Sequence, residues 1–598
     1  MKQSGYKRVI AMKKKCFVLI ILKIFFLTTY SFTQTVYNTS KPWTYWWWMG
    51  SAVNKTDIVI QLKEFSKAGI GGVHIIPIYG VKGYEDQFLP FLSEEWLQMV
   101  QHTIEKAGKL NMGVDITLGT GWPYGGSWIN KSDAAKQLAI KVYQLKQSNY
   151  ISIDTDSIIR NNEFLDLFAI VASSSKGEKI NLSSQIINHI IHQIVNLADW
   201  KLICFGITNT NQFVKRASPG GEGLVVDHFS HKAVMNYLNH FDSIFLRSAH
   251  PIKPRAYYND SYEVYQANWT AQFSDRFREL RGYDLTEVLP ALLDTLDPKR
   301  PFVIHDIRET LSDLLYSGFA KNWTGWCKKN RCISRYQAHG SPSNLLDLYA
   351  LSDLPETESF GCSNFSLPKL HCDPDYEEEH FGRPSPLMMK FASSPAHLLN
   401  KSLVCSETGT WLANHFKVSL SQIKPQIDQL FVSGINHIFY HGITYSPQNE
   451  KYPGWLYYAS TNFGLTSHFW NELPLLNSYI TECQKILQNT TPDNDILLYF
   501  PVDELWTKYP GEILLYQSVH NYKSWFCNTE FGKTAQFLWN NGFTFDYISD
   551  RQIRQLNIVN NNKLTVQGHS TYSVLIVPAI EYINKNTLKL MDSLAQRG

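Results

Sequence analysis

The sequence predicts an α/β chain built around a (β/α)8 TIM-like barrel, and three features predict it. A unit of capped amphipathic helix, Ala-Gly stop and short apolar strand occurs twice near the start, and a similar helix–Gly–strand unit returns more than 300 residues later. Short strands this uniformly apolar belong to parallel sheets covered on both faces. The wide spacing of similar units favours a closed barrel carrying insertions over an open doubly wound sheet. At 598 residues the chain has room for such a barrel and a smaller second domain.

Residues 1–34 read as a secretory signal. Lys7, Arg8 and Lys13 to Lys15 precede the apolar run CFVLIILKIFFLTTYSF, after which the chain turns polar. Lys23 interrupts that run, which is short for a membrane span. The expectation is therefore a periplasmic or secreted protein with no stable span once the signal is removed. The same 34 residues hold seven cations and no acid, so their removal takes the formal charge from +3 to −4. A mildly acidic exported chain is not built to bind nucleic acid. Its eight remaining cysteines show no zinc spacing. Cys327/Cys332 and Cys362/Cys372 lie close enough in sequence to bridge in an oxidising compartment, and scattered buried thiols are the equally open reading.

In chain order, NKTDIVIQLKEFSKAGIGGVHIIPIYG gives a helix and a strand at 73–78. The next unit starts at Ser93, an N-cap followed by Glu94 and Glu95 in the first turn, and ends in a strand at 114–118. From about 140 to 235 the pattern breaks into a β-rich insertion. Strands at 255–259, 334–337 and 403–405 follow, with a long helix at about 303–328, and IKPQIDQLFVSGINHIFYHG is the third copy of the unit. The barrel so defined occupies 35–490. Beyond 491, a strand at 495–500, a helix at 530–540 and a strand at 572–578 begin a second α/β domain. That domain is still being built at residue 598, so the expectation is a shortened chain.

Active groups of a parallel barrel sit at the C-terminal ends of its strands. There the sequence places Trp122 and Tyr124 in the loop GTGWPYGG, Asp260 and Glu263 in NDSYE, and His339 in QAHGSPSN. Glu356 and Glu358 follow in DLPETESFG, Glu407 and Trp411 in SETGTW, and His441 in FYHGITY. The glycine-rich loop is not a phosphate loop, because no Lys-Ser/Thr follows it. Any one of these acids alone reads as a cap or a solvated loop residue. Their convergence with Trp and Tyr in an exported barrel suggests glycosidic cleavage, which uses one carboxylic acid, one carboxylate and aromatic walls. Asp260 and Glu263 stand among aromatic residues that raise a carboxyl pKa, as a general acid requires.

Several segments together resemble glycoside hydrolase family 106, the bacterial α-L-rhamnosidases. They are KPWTYWWWMGSAVNKTDI, AGIGGVHI, GTGWPYGG, NDSYEVYQANWT with FRELRGYDL, QAHGSPSNLLDLYALSDLPETESFG and SETGTWL. The resemblance runs in order from about residue 42 to the end. It implies an exported, inverting hydrolase of rhamnose-containing poly- or oligosaccharides, with Glu263 as general acid, Asp260 beside it and Glu407 as the second catalytic carboxylate. It also implies sugar or metal contacts from Glu356 and Glu358, sugar contacts from Trp48, Trp122, Tyr124, His339, Trp411 and His441, and calcium at the sugar. Two departures stand out. The family's downstream β-sandwich domains are expected to be missing from this shortened chain, and 361–382 is expected to form an extra loop. The rival readings are a retaining glycosidase of another barrel family and an inactive carbohydrate-binding homologue. A zinc hydrolase is disfavoured, since there is no H-E-x-x-H.

Overall fold

The computed structural model describes residues 37–597 apart from 146–149, 188, 195–199, 246–251, 364, 369, 371–372, 512, 560–561 and 569. The region read as a signal, 1–34, lies outside the described residues. Thr39–Gly598 is one compact unit. Its centre is a closed, all-parallel barrel of eight strands: β1 (Trp43–Met49), β2 (Gly72–Ile78), β3 (Gly113–Thr117), β4 (Ala256–Asn259), β5 (Ile333–Tyr336), β6 (Leu354–Phe360), β7 (Cys405–Thr410) and β8 (His437–Thr444). Each strand pairs with its sequence neighbours, and β8 closes on β1 with Trp43 opposite Phe439. Helices cross between successive strands, as a right-handed parallel barrel demands.

Local signals explain the first crossovers. Asn54 accepts from the Asp57 amide to start the helix Lys55–Lys67, and Ser93 does the same from Trp96 for Glu94–Gly108. The helices feed β2 and β3 through Gly72 and Gly113, which face each other in register. A Cβ on either glycine would lie 2.5 or 2.1 Å from the Trp43 ring, so that ring closes the bottom of the barrel only because both are glycine.

Two strands were not legible as such. β1 reads as a tryptophan-rich motif, and β6 carries the acids of DLPETESFG in place of an apolar run. A third, β7, is expected at 403–405 and runs instead from Cys405 to Thr410. The reason is common to β6 and β7: this barrel encloses polar residues, so a search for apolar runs stops where the functional strand begins. Asp115, on β3, accepts from Arg255 Nε at 2.8 Å and from Arg335 Nη1 at 2.7 Å, with both groups buried. Arg335 also pairs with Glu356 Oε2 at 3.0 Å and lies over the Phe439 and Tyr258 rings. Such a network, largely without water, holds its strands in one register, because unpairing either charge would leave the other buried alone.

The insertion interrupts the β3-to-β4 crossover. It is a four-stranded antiparallel sheet, ordered Lys136–Gln144, Trp200–Asn209, Asp166–Ser174, Lys179–Asn181, with a three-stranded sheet beside it. Phe164, Ile170 and Leu202 pack in its own core. The helix His231–Phe245 that follows belongs to the barrel wall, so the antiparallel sheet ends at 209, well before 235. After the helix Leu473–Gln488 come β9 (Ile496–Tyr499), β10 (Phe545–Ile548) and β11 (Val574–Ile576), a parallel sheet ordered β10-β9-β11. Cys327 and Cys332 are free buried thiols, and Cys372 falls outside the described residues. Among the described residues, no helix is long and apolar enough to cross a membrane.

Candidate active site

A cavity of ≈ 550 Å³ opens at the C-terminal ends of the barrel strands. Alternation along β1 turns Tyr45 and Trp47 into it, while Trp46 and Trp48 face outward, Trp46 against Phe65 of the first helix. Trp48 is thus a correction by one residue: Trp47 is the wall, stacked on Tyr457 at 4.1 Å. Tyr124 is a second correction. Its ring is buried against Tyr237 and its hydroxyl donates to the Tyr258 carbonyl, so it supports β4 from behind. Trp122, Asp260, Glu263, Glu358, Glu407, Trp411 and His441 do line the cavity.

Glu407 sits on β7, inside the strand rather than past its end. Its Oε2 accepts from Gln337 Nε2 at 2.8 Å and lies 3.2 Å from the Tyr45 hydroxyl; its Oε1 accepts from Thr410 and is 3.5 Å from His441 Nε2. Burial, then the Glu358 and Asp260 carboxylates, hold Glu407 well above the usual carboxylate range. Burial alone keeps His441 neutral, pushed down to about 4.

Glu356 and Glu358 alternate along β6 with different fates. Glu356 is fully buried beneath the cavity, accepting from the Tyr45 hydroxyl at 2.7 Å and paired with Arg335. It joins the barrel's ion network to the floor of the site and is not placed for sugar contact. Glu358 faces the cavity. His339 Nε2 lies 3.2 Å and His520 Nε2 3.1 Å from the same oxygen. Burial would raise the Glu358 pKa, but His520 and then His339 hold it well below its usual value. His339 also donates to Gln337 Oε1 at 3.0 Å, which orients that amide with its NH2 toward Glu407. His339 therefore stands behind Glu358 as a positioning group.

Asp260 and Glu263 follow β4. Asp260 accepts from the Ser261 amide at 2.8 Å, yet burial above all, with Glu263 and Glu358 adding repulsion, pushes it up to about 7. Glu263 lies at the rim, accepting from Lys215 and from the Tyr265 hydroxyl at 2.9 Å. Lys215 arrives from the end of the insertion, where it bridges to Trp122 through both backbone groups. Gly121 permits that approach, since a Cβ there would stand 1.9 Å from the Lys215 carbonyl.

Sequence reasoning missed Lys215, Arg216, Tyr457, Tyr458 and His520, all lining the cavity. They lie on loops between elements, and His520 comes from the segment beyond β9, where no local pattern marks them. Docking of that segment is visible in the Gly340 amide donating to Gln517 O at 2.9 Å.

Calcium does not fit the groups that converge here. Among the described residues, potential ligands gather at His339, Glu358 and His520, and at His305, Asp306 and Glu309. The first set offers two nitrogens and one carboxylate, whereas calcium takes six to eight oxygens. In the second, His305 already lies between Asp306 and Asp503, and Glu309 is paired with Arg281.

Residues 34–153 and 191–598 match the model of a family described as alpha-L-rhamnosidase, glycoside hydrolase family 106. The stretch left out lies within the insertion. A protein of Formosa agariphila provisionally named a β-glucuronidase is 23% identical over 94% of this chain, and the chain spans 48% of that protein's length. Among solved structures, the rhamnosidase from Novosphingobium sp. PP1Y superposes with a TM-score of 0.69 at 17% identity, over 94% of this chain and 68% of the other. A β-galactosidase from the psychrophilic Marinomonas ef1 superposes at 0.51 with 11% identity, over 92% and 74%. These structural likenesses show a shared fold.

Proposed function

We propose, from the premise that the chain belongs to glycoside hydrolase family 106, that it removes terminal α-L-rhamnosyl residues from poly- or oligosaccharides with inversion of configuration. The observation that carries this reading is one cavity holding Glu407 on β7 and the pair Asp260 and Glu263 after β4, between the walls Trp47, Trp122 and Trp411. Glu407 is the base. A pKa raised by burial and like charge makes its ionised form a strong proton acceptor, and Gln337 and Thr410 fix the carboxylate's orientation while water attacks. Inversion then has the water's proton pass to Glu407 as the leaving oxygen gains one from the opposite side.

The acid side is a pair with divided roles. Asp260, with its pKa near 7, stores the proton in the free enzyme. Glu263, at the rim beside the leaving group, delivers it once substrate separates Glu263 from Lys215. Hydrolysis of an aryl α-L-rhamnoside by the purified protein tests the reading, and binding without any turnover would favour the carbohydrate-binding alternative. Export is proposed from the basic and apolar residues at the N-terminus. The signal is proposed to be removed on export, and an exported protein that retains its first 34 residues would contradict that removal.

His520 makes the site depend on the segment beyond the barrel. Its imidazole is the cation that keeps Glu358 charged, and Glu358 in turn aligns His339 and Gln337. His520→Ala should lower kcat by about tenfold to a hundredfold, the cost of one charged hydrogen bond passed on to the base. KM should change less. His520→Gln, which retains an N–H donor, should recover part of the loss; an unchanged kcat in both variants would remove His520 from the network.

A further inference from the structure

We infer that the site's leaving-group side accepts a negatively charged residue, the carboxylate of a uronic acid, and that Arg216 recognises it. The inference rests on the proposed glycosidase reading and extends it to the neighbouring sugar. It begins with the charges lining the cavity. Glu263 is paired with Lys215, and Glu358 with His520. Asp260 and Glu407 are held by neutral donors, the Ser261 amide and the Gln337 and Thr410 side chains, and not by a cation. Arg216 is the charge left over: among the described residues no carboxylate pairs with it, and the groups that bear on it are the tyrosines Tyr458, Tyr457 and Tyr79.

Arg216 is also held in place. Its guanidinium lies 4.6 Å from the centre of the Tyr458 ring, and the Tyr79 ring is 6.0 Å away. Its carbonyl accepts from the Tyr79 amide at 3.0 Å, and its backbone is left-handed, with φ at 55°. Tyr458 also takes a hydrogen bond from the guanidinium, which leaves further N–H groups of the five for a planar acceptor, and a carboxylate can meet two of them with parallel bonds. Lys215, one residue away and bridged to Trp122, anchors the same strand of loop at the rim. Arg216 thus enters the cavity from the same loop as Lys215, the partner of Glu263, and Glu263 is the acid assigned above to the departing group.

A sulfate ester carries the same charge with tetrahedral oxygens, so the two sources can be separated. Three aryl α-L-rhamnosides that differ only at the para position would be compared: carboxylate, its neutral carboxamide, and sulfate. The ratio of kcat/KM for carboxylate over carboxamide should be about tenfold, the lower range for a charged hydrogen bond at an exposed position. Arg216→Asn, chosen because asparagine tolerates the left-handed backbone, should bring the ratio near one, and Arg216→Glu should invert it. A ratio near one in the unaltered protein would overturn the inference, and a preference for sulfate over carboxylate would overturn the choice of ligand. Calorimetric binding of the carboxylate and carboxamide glycosides to the Glu407→Gln protein gives the same ratio without turnover. Absence of hydrolysis of all three glycosides would count against the glycosidase reading, while equal binding of the two would count against Arg216.

Discussion

Glu407→Gln protein is expected to lose about 10³-fold or more in kcat/KM on every rhamnoside, whatever its leaving group, within the range set by loss of a general base. Water attack is needed in each case, and the amide cannot accept the proton. The substitution keeps shape, and its amide oxygen can accept from Gln337 while its NH2 donates to the Thr410 hydroxyl, so substrate binding should persist. Intact binding beside lost turnover separates this from misfolding. Activity on an activated aryl rhamnoside within tenfold of the original would remove Glu407 from the base position.

Glu263→Gln should divide substrates by leaving group. On a rhamnoside whose aglycone is a sugar, the departing oxygen needs a proton, and the loss should be about 10²–10³-fold. On an activated aryl rhamnoside, whose departing group is stable as an anion, the loss should be far smaller. Asp260→Asn should act more mildly and through pH. Removing a carboxylate near Glu407 removes a like charge that raises the Glu407 pKa, so the acid limb of the profile should move to lower pH. Asp260's own transition near pH 7 should vanish from the profile. Equal damage to both substrate classes by Glu263→Gln would reject its delivery role, and an acid limb that stays put in Asp260→Asn would reject the coupling.

Much of this molecule is legible in its sequence, for identifiable reasons. The repeated helix–Gly–strand units near the start of the chain sit in β2 and β3, because capping residues and apolar strands are local signals. The glycines in those units mark where the Trp43 ring fills the barrel base. The acids Asp260, Glu263, Glu358 and Glu407 could be named because each lies on or just after a strand near the barrel mouth. What was not legible depends on alternation or on distant chain. Trp47 and Trp48 are indistinguishable as letters, and only the pleat of β1 decides which faces the cavity. Glu356 and Glu358, two apart, point inward at different depths, and the depth separates an ion-network member from a cavity acid. Lys215 and Arg216 return from an insertion, and His520 from beyond β9, so their place at the mouth is a property of the closed barrel and not of their surroundings in sequence.

The stereochemistry of the first-formed sugar tests the central claim most directly. NMR during the early minutes of hydrolysis of an aryl α-L-rhamnoside, before mutarotation mixes the anomers, would show which is released. Direct attack by water assisted by Glu407, with the proton delivered through Glu263, requires the β-anomer of L-rhamnose to appear first. The α-anomer appearing first would mean a covalent glycosyl-enzyme and a retaining mechanism, and would contradict the roles assigned to both carboxylates.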